Sequence, residues 1–216
     1  TDDSLSAKDK GYAITQSSRK IFENLGLWSD IEKHASGFNT LSIIDDELSQ
    51  SVIVRKSDLK RLNKDQKNIG WVIEHKYLMK IFLNSINKNK FIDKRDIDSI
   101  KDKDFDFILA ADGRDSSARK YWGITYLKGF YKQRCISFRA VLKNIPNKRA
   151  YEIFRHEGPL ALLPLENDTY QVIWFSKESE IKENLKLSKS KLLERLSNIL
   201  PNNIRAEKII STISNY

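Results

Sequence analysis

The chain has 216 residues, 40% hydrophobic, 10% aromatic and 31% charged, enough for a sizeable core and unlike a disordered sequence. Its net charge of +9 is interleaved with acids, as in Lys94-Arg95-Asp96 and Lys101-Asp102-Lys103-Asp104; no basic stripe with aromatics points to nucleic acid, which leaves a weak attraction to anionic lipid headgroups. No apolar run reaches the roughly 20 residues of a bilayer span, no signal peptide is visible, and Cys135, the only cysteine, excludes an internal disulfide and suits a reducing cytoplasm.

In chain order, Asp9–Thr15 reads as a short extended segment. Ser17 or Ser18 then caps a helix with apolar face Ile21, Phe22 and Leu25, stopped by Gly26, with Leu27 and Trp28 folding back on its end. Two short strands follow, around Thr40–Ile44 and Ser51–Arg55, joined through the acidic turn Asp45-Asp46-Glu47. A second helix over Lys76–Ser85 places Leu78, Ile81, Phe82 and Ser85 at helical spacing. The stretch Ile86–Asp106 is highly charged. Phe105–Ala111 is an apolar run ending in Asp112-Gly113, the pattern of a buried parallel strand that delivers a turn to a ligand. Cys135–Leu142 alternates, with Ile136, Phe138 and Ala140 on one face. Tyr151–Arg155, Leu160–Leu165 and Gln171–Ser176 read as further strands, and Ser188–Leu200 as an amphipathic helix ended by Pro201. Helices and a buried strand followed by an antiparallel sheet predict an α+β, or mixed α/β, arrangement of two lobes.

Several chemistries lack their motifs. None of the eight glycines forms a G-x-G-x-x-G fingerprint, and there is no P-loop. His34, His75 and His156 have no metal-ligand spacing, one cysteine cannot complete a zinc site, and no nucleophile elbow is present. No metal is expected.

Five strings carry more specific information. They are Tyr12-Ala13-Ile14-Thr15 with Ser18 and Leu25-Gly26-Leu27-Trp28; Gly70-Trp71-Val72-Ile73-Glu74-His75; Ala111-Asp112-Gly113-Arg114-Asp115-Ser116-Ser117-Ala118-Arg119 with Trp122-Gly123-Ile124; Phe154 through Leu165; and Val172-Ile173-Trp174-Phe175-Ser176. In this order and spacing, from about Lys10 to Ser176, the chain resembles the UbiH/UbiF-type hydroxylases of ubiquinone biosynthesis, which are class A flavoprotein monooxygenases.

That resemblance implies part of a Rossmann-like FAD/NAD(P)-binding domain over 1–37 and 69–125. An antiparallel-sheet substrate domain of the p-hydroxybenzoate hydroxylase type would cover 38–68 and 126–216. It implies FAD and NAD(P)H as cofactors, hydroxylation of a polyprenylphenol or quinone precursor with O2, peripheral contact with the inner membrane and membership of a biosynthetic complex. The implied cofactor-binding residues are Lys10, Glu74, Asp112, Gly113, Ser116 and Arg119. Lys10 stands where the family carries an arginine for the cofactor phosphates and is equally readable as a surface lysine; His75 stands where the family usually has Asn. Asp112-Gly113 with Ser116 is also readable as an ordinary turn and N-cap. Inward residues of the antiparallel sheet, Phe138, Phe154, Leu162, Pro164 and Trp174, with His156 in a polar bend between two strands that would lie over the flavin edge, are the implied substrate pocket, although branched and aromatic residues fill any sheet interior. No catalytic base is implied.

The family's N-terminal glycine turn and its later Gly-Asp segment are absent from the 216 residues, so the resemblance implies an internal fragment that is inactive by itself. The alternative is a non-catalytic flavoprotein-like remnant, acting as a scaffold or membrane-surface module.

Overall fold

The computed structural model describes residues 10–59, 67–93, 95, 105–201 and 203–216; Asp9 and most of the charged stretch preceding Phe105 lie outside the described residues. In chain order the elements are β1 (Gly11–Thr15), α1 (Gln16–Asn24), α2 (Trp28–Glu32), β2 (Ala35–Phe38), β3 (Thr40–Asp45), β4 (Gln50–Arg55), β5 (Gly70–Glu74), α3 (His75–Lys88) and α4 (Ser117–Tyr121). They continue with β6 (Gln133–Lys143), β7 (Arg149–Phe154), β8 (Leu160–Pro164), β9 (Thr169–Lys177), α5 (Glu178–Asn184), α6 (Lys189–Ser197), β10 (Arg205–Ile209) and β11 (Ser214–Asn215). The chain forms two compact units, Thr1–Ser85 with Lys132–Tyr216, and Ile86–Tyr131.

In the first unit, β1, β5 and β2 form a small antiparallel sheet with β5 in the centre. Trp71 and Ile73 of β5 are buried with Ile14, Trp28, Ile31, Leu78 and Ile81. Trp28 meets Trp71 edge-to-face at 4.8 Å, a favoured aromatic geometry. Thr15, and neither Ser17 nor Ser18, caps α1: its hydroxyl accepts the Ser18 N–H at 3.3 Å. The reason is that β1 runs directly into the helix, so Thr15 is the last extended residue. Gly26 ends α1 at φ 69, with Gly26 N–H on the Glu23 carbonyl and Leu27 N–H on the Phe22 carbonyl, the paired bonds of a Schellman motif. Of the predicted apolar face only Phe22 packs, against Phe82; Ile21 and Leu25 are exposed.

The larger sheet runs β10-β6-β9-β8-β7-β3-β4, with β11 also on β6. Only the β3–β7 pair is parallel among these. Alternation gives its two faces different tasks. One face buries Ile136, Phe138, Ala140, Leu142, Tyr151, Ile153, Leu160, Leu162, Val172 and Trp174 beneath α5 and α6, which contribute Ile181, Leu192 and Leu196. The other face turns Ala150, Leu41, Leu163 and Leu165 toward Phe38 and Val72 of the small sheet. Ser188 caps α6, accepting the Lys191 N–H.

The second unit departs from expectation. Phe105–Ala111 is not a strand: it pairs with nothing among the described residues, and Phe107 and Leu109 are 90% and 94% exposed. An apolar run becomes a buried parallel strand only when neighbours complete its ladder and cover both faces, and the described chain supplies neither here.

Candidate functional site

The Asp112 turn is built by its own side chains. The carboxylate of Asp112 accepts the N–H of Ser117 at 2.6 Å and of Ala118 at 3.1 Å. Ser116, buried, caps α4 by accepting the Arg119 N–H at 3.0 Å. Hydrogen bonding from the Ser116 hydroxyl, then from Ala118 and Ser117 N–H groups, holds the Asp112 carboxyl below the usual range. Arg119 reaches back to the Arg114 carbonyl and lies over the Tyr126 ring, 4.1 Å from its centre. Gly113 sits at φ +84 with open space where a side chain would be, so only glycine adopts this bend freely and leaves the backbone accessible. The geometry unites Asp112, Gly113, Ser116 and Arg119 in one ordered turn, and Ser116 is indeed an N-cap.

Lys10 and Glu74 belong to the other unit. The Lys10 ammonium lies 5.0 Å from the centre of the Tyr12 ring and 5.5 Å from that of Tyr216, while its carbonyl accepts the His75 N–H. Glu74, at the end of β5, pairs with Arg139 at 2.7 Å and with Lys76 at 3.2 Å. Its carboxylate is thus committed to joining the small sheet to the large one. His75 is buried, with Nδ1 2.8 Å from the Tyr12 hydroxyl; the aromatic neighbour explains why a histidine suits this place.

The expected pocket is divided by the pleat. Phe138, Leu162 and Trp174 are enclosed in the core beneath α5 and α6, which corrects their reading as pocket lining: a one-residue change of parity turns a side chain to the opposite face. Phe154 projects from the other face and is 50% exposed, and His156 is exposed in the turn after β7. Pro164 borders a cavity of about 560 Å³ that also includes Gly37, Lys148, Glu166 and Tyr170. A second cavity of about 360 Å³ lies beside the Glu74–Arg139 pair, with His34, Tyr77 and Thr169 on its walls; His34 stacks on Tyr77 at 4.5 Å. Cys135 is buried, which pushes its thiol up and away from nucleophile chemistry. Among the described residues no cluster of three or more His, Cys, Asp or Glu side chains suits a metal, and no helix is long and apolar enough to cross a membrane.

Three polar residues escaped the motif reading: Arg139, Gln171 and Glu152. Gln171 is fully buried and donates to Ser137 Oγ at 2.7 Å and to the Phe138 carbonyl. The available signal was a polar residue at an alternating position of an otherwise apolar strand, as in Tyr151-Glu152-Ile153.

With this geometry in place, the relatives are informative. The chain is 27% identical over 191 residues to the uncharacterized protein slr1300 of Synechocystis, covering 77% of the chain and 44% of that protein. It is 24% identical over 97 residues to 3-demethoxyubiquinol 3-hydroxylase of Escherichia coli, covering 45% of the chain and 25% of the enzyme. No protein-family model matches the sequence. PqsL of Pseudomonas aeruginosa superposes with a TM-score of 0.71 at 13% identity, over 97% of the chain and 64% of its own. The p-nitrophenol 4-monooxygenase PnpA of Pseudomonas putida gives 0.71 at 14%, over 98% and 58%. HpxO of Klebsiella pneumoniae, solved with FAD and uric acid, gives 0.62 at 13%, over 90% and 53%. The fold is that of FAD-dependent monooxygenases. The chain spans less than two thirds of the length of each of these proteins.

Proposed function

We propose that the chain belongs to an FAD-dependent monooxygenase that hydroxylates the aromatic ring of a polyprenylphenol or quinone precursor in ubiquinone biosynthesis, with NAD(P)H and O2. The observation that carries this reading is the superposition of 98% of the chain on PnpA. The 24% identity to 3-demethoxyubiquinol 3-hydroxylase supports the substrate class.

Taken separately, each unit holds candidate residues that suit a phosphate-bearing cofactor. Lys10 offers a positive charge to phosphate, although without the forked geometry of arginine. The turn at Gly113 offers an accessible backbone, stiffened by Asp112, Ser116 and Arg119. Glu74 does not fit as a free carboxylate, because Arg139 and Lys76 hold it. Bound FAD would supply the redox chemistry that activates oxygen. The protein's part is to bind, orient and exclude water: the large sheet offers an apolar surface on which a ring and its prenyl tail lose contact with solvent.

A second reading, a non-catalytic scaffold of flavoprotein fold, is favoured by the committed Glu74 carboxylate. The visible spectrum of the protein purified from its complete reading frame separates the two. Absorption near about 370 and 450 nm, the mark of bound oxidised flavin, together with NAD(P)H oxidation stimulated by a prenylphenol, upholds the enzyme. A colourless protein that refuses added FAD refutes it.

A further inference from the structure

Six residues from six strands stand side by side across the large sheet: Ser137, Ile173, Ala161, Glu152, Ile43 and Val52. Residues paired across neighbouring strands share a face, and this row lies on the face turned away from α5 and α6. On the same face, Arg139, Gln171 and Leu163 pair across β6, β9 and β8, and Ala150 pairs with Leu41 across β7 and β3; here the small sheet closes over, through Phe38 and Val72. A side chain added at Gly11 would come within 3.4 Å of Gln171, so that closure is tight. The Glu152 row is buried at Ser137 and Ala161 and opens toward its β4 end: Val52 is 62% exposed, and Phe154, on the same strand and face as Glu152, is 50% exposed.

Glu152 is therefore a carboxylate between Ile43 and Ala161, its partners on the flanking strands, with Ile173 one strand beyond Ala161. No hydrogen bond or ion pair joins it to the described residues, and burial holds its carboxyl above the usual range with no charged neighbour contributing. A half-buried carboxylate without a partner is costly, and apolar residues would fill the row at less expense to stability. The arrangement suits a ligand that brings its own donor and its own apolar surface.

We propose that this row is the floor of the substrate site, and that Glu152 accepts a hydrogen bond from the ring hydroxyl of a phenol lying against Ile43, Ala161, Ile173 and Phe154. The inference rests on the oxygenase reading and deepens it. The hydroxyl proton stays on the phenol oxygen; the charge-assisted bond fixes the ring in one orientation and raises its electron density. Glu152 would then be a catalytic residue, because it touches the substrate.

The test uses 2-geranylphenol and its methyl ether, which differ only in the hydroxyl hydrogen and the methyl that replaces it. Calorimetry measures binding of both to the protein from the complete reading frame, as wild type, Glu152→Gln and Glu152→Leu. The wild type is expected to prefer the phenol by about tenfold or more, the usual worth of a hydrogen bond to a charged group. Glu152→Leu is expected to bring the two ligands near parity while keeping affinity for the ether. Glu152→Gln retains an acceptor and is expected to fall between. Acidification through the raised carboxyl pKa should erase the wild-type preference and leave Glu152→Leu unchanged.

An equal preference in wild type and Glu152→Leu overturns the inference, as does a wild type that binds neither ligand or does not discriminate. The visible spectrum of the same samples keeps the two readings apart. Bound flavin with a preference indifferent to Glu152 sinks this inference alone. A colourless protein with a Glu152-dependent preference sinks the oxygenase reading and with it the catalytic role of Glu152, leaving only its contact with the phenol.

Discussion

Phe138 and Phe154 test the division of the sheet into a structural and a ligand-facing side. Phe138 is fully enclosed with Val172, Leu192 and Leu196. Removing its ring leaves a cavity that the surrounding strands and helices fill only in part, so Phe138→Ala should cost about 3–5 kcal/mol. For a protein of this size each kcal/mol moves the melting temperature by about 2–4 °C, giving a fall of roughly 10 °C. Phe138→Leu, which keeps most of the volume, should cost less than about 1.5 kcal/mol and guards against a variant that fails to fold. Phe154→Ala, at an exposed position, should cost under about 1 kcal/mol yet raise KM for a prenylphenol. Thermal unfolding followed by circular dichroism, beside steady-state kinetics, reads both effects. The face assignment is refuted if Phe138→Ala melts with the wild type and raises KM while Phe154→Ala does the reverse.

Four further outcomes are expected. A double-mutant cycle of Glu74→Gln and Arg139→Met should show a coupling of about 1–3 kcal/mol in chemical denaturation, since the 2.7 Å pair ties the two sheets together; a coupling near zero would mean that the pair only decorates the surface. Asp112→Asn should speed amide exchange at Ser117 and Ala118, whose N–H groups the carboxylate holds. Because the folded pKa of Asp112 is depressed, its contribution is complete above the unfolded pKa and is lost as pH falls through the folded one, so wild-type exchange should approach that of the variant only in acid. Glu152 has the opposite sign: its pKa is raised by burial, stability is lost as pH rises from the unfolded toward the folded value, and Glu152→Gln should raise the melting temperature by a few degrees at neutral pH and by nothing in acid. Gly158→Ala should destabilise by about 1–3 kcal/mol in the same denaturation assay, because φ is +141 and the new Cβ would lie 2.8 Å from the Phe175 carbonyl oxygen.

Local order was largely legible in the residues themselves. The strands over Thr40–Ile44, Ser51–Arg55, Tyr151–Arg155, Leu160–Leu165 and Gln171–Ser176 appear within a few residues of their predicted positions, since alternation and turn residues act at short range. The Ser188 cap, the Gly26 stop and the compact turn of Asp112, Gly113, Ser116 and Arg119 are likewise local. Short elements lacked such a signal. The strand β2, Ala35-Ser36-Gly37-Phe38, exists because β5 offers it an edge.

What the sequence by itself determined, then, was which segments would be extended or helical and which turns would close. Tertiary structure alone decided which side of each strand meets what. Phe138 and Trp174 alternate as a pocket-lining strand would, but whether that face meets helices or a ligand depends on where α5 and α6 dock. Glu74 lies at the end of its motif, yet Arg139, 65 residues away, claims its carboxylate. Phe105–Ala111 has the composition of a buried strand, and a strand forms only when neighbouring strands satisfy its backbone. Pleat and periodicity are properties of a segment, whereas burial and pairing are properties of its neighbours, and for Glu152 the neighbours turned an ordinary surface carboxylate into the candidate contact for a phenol.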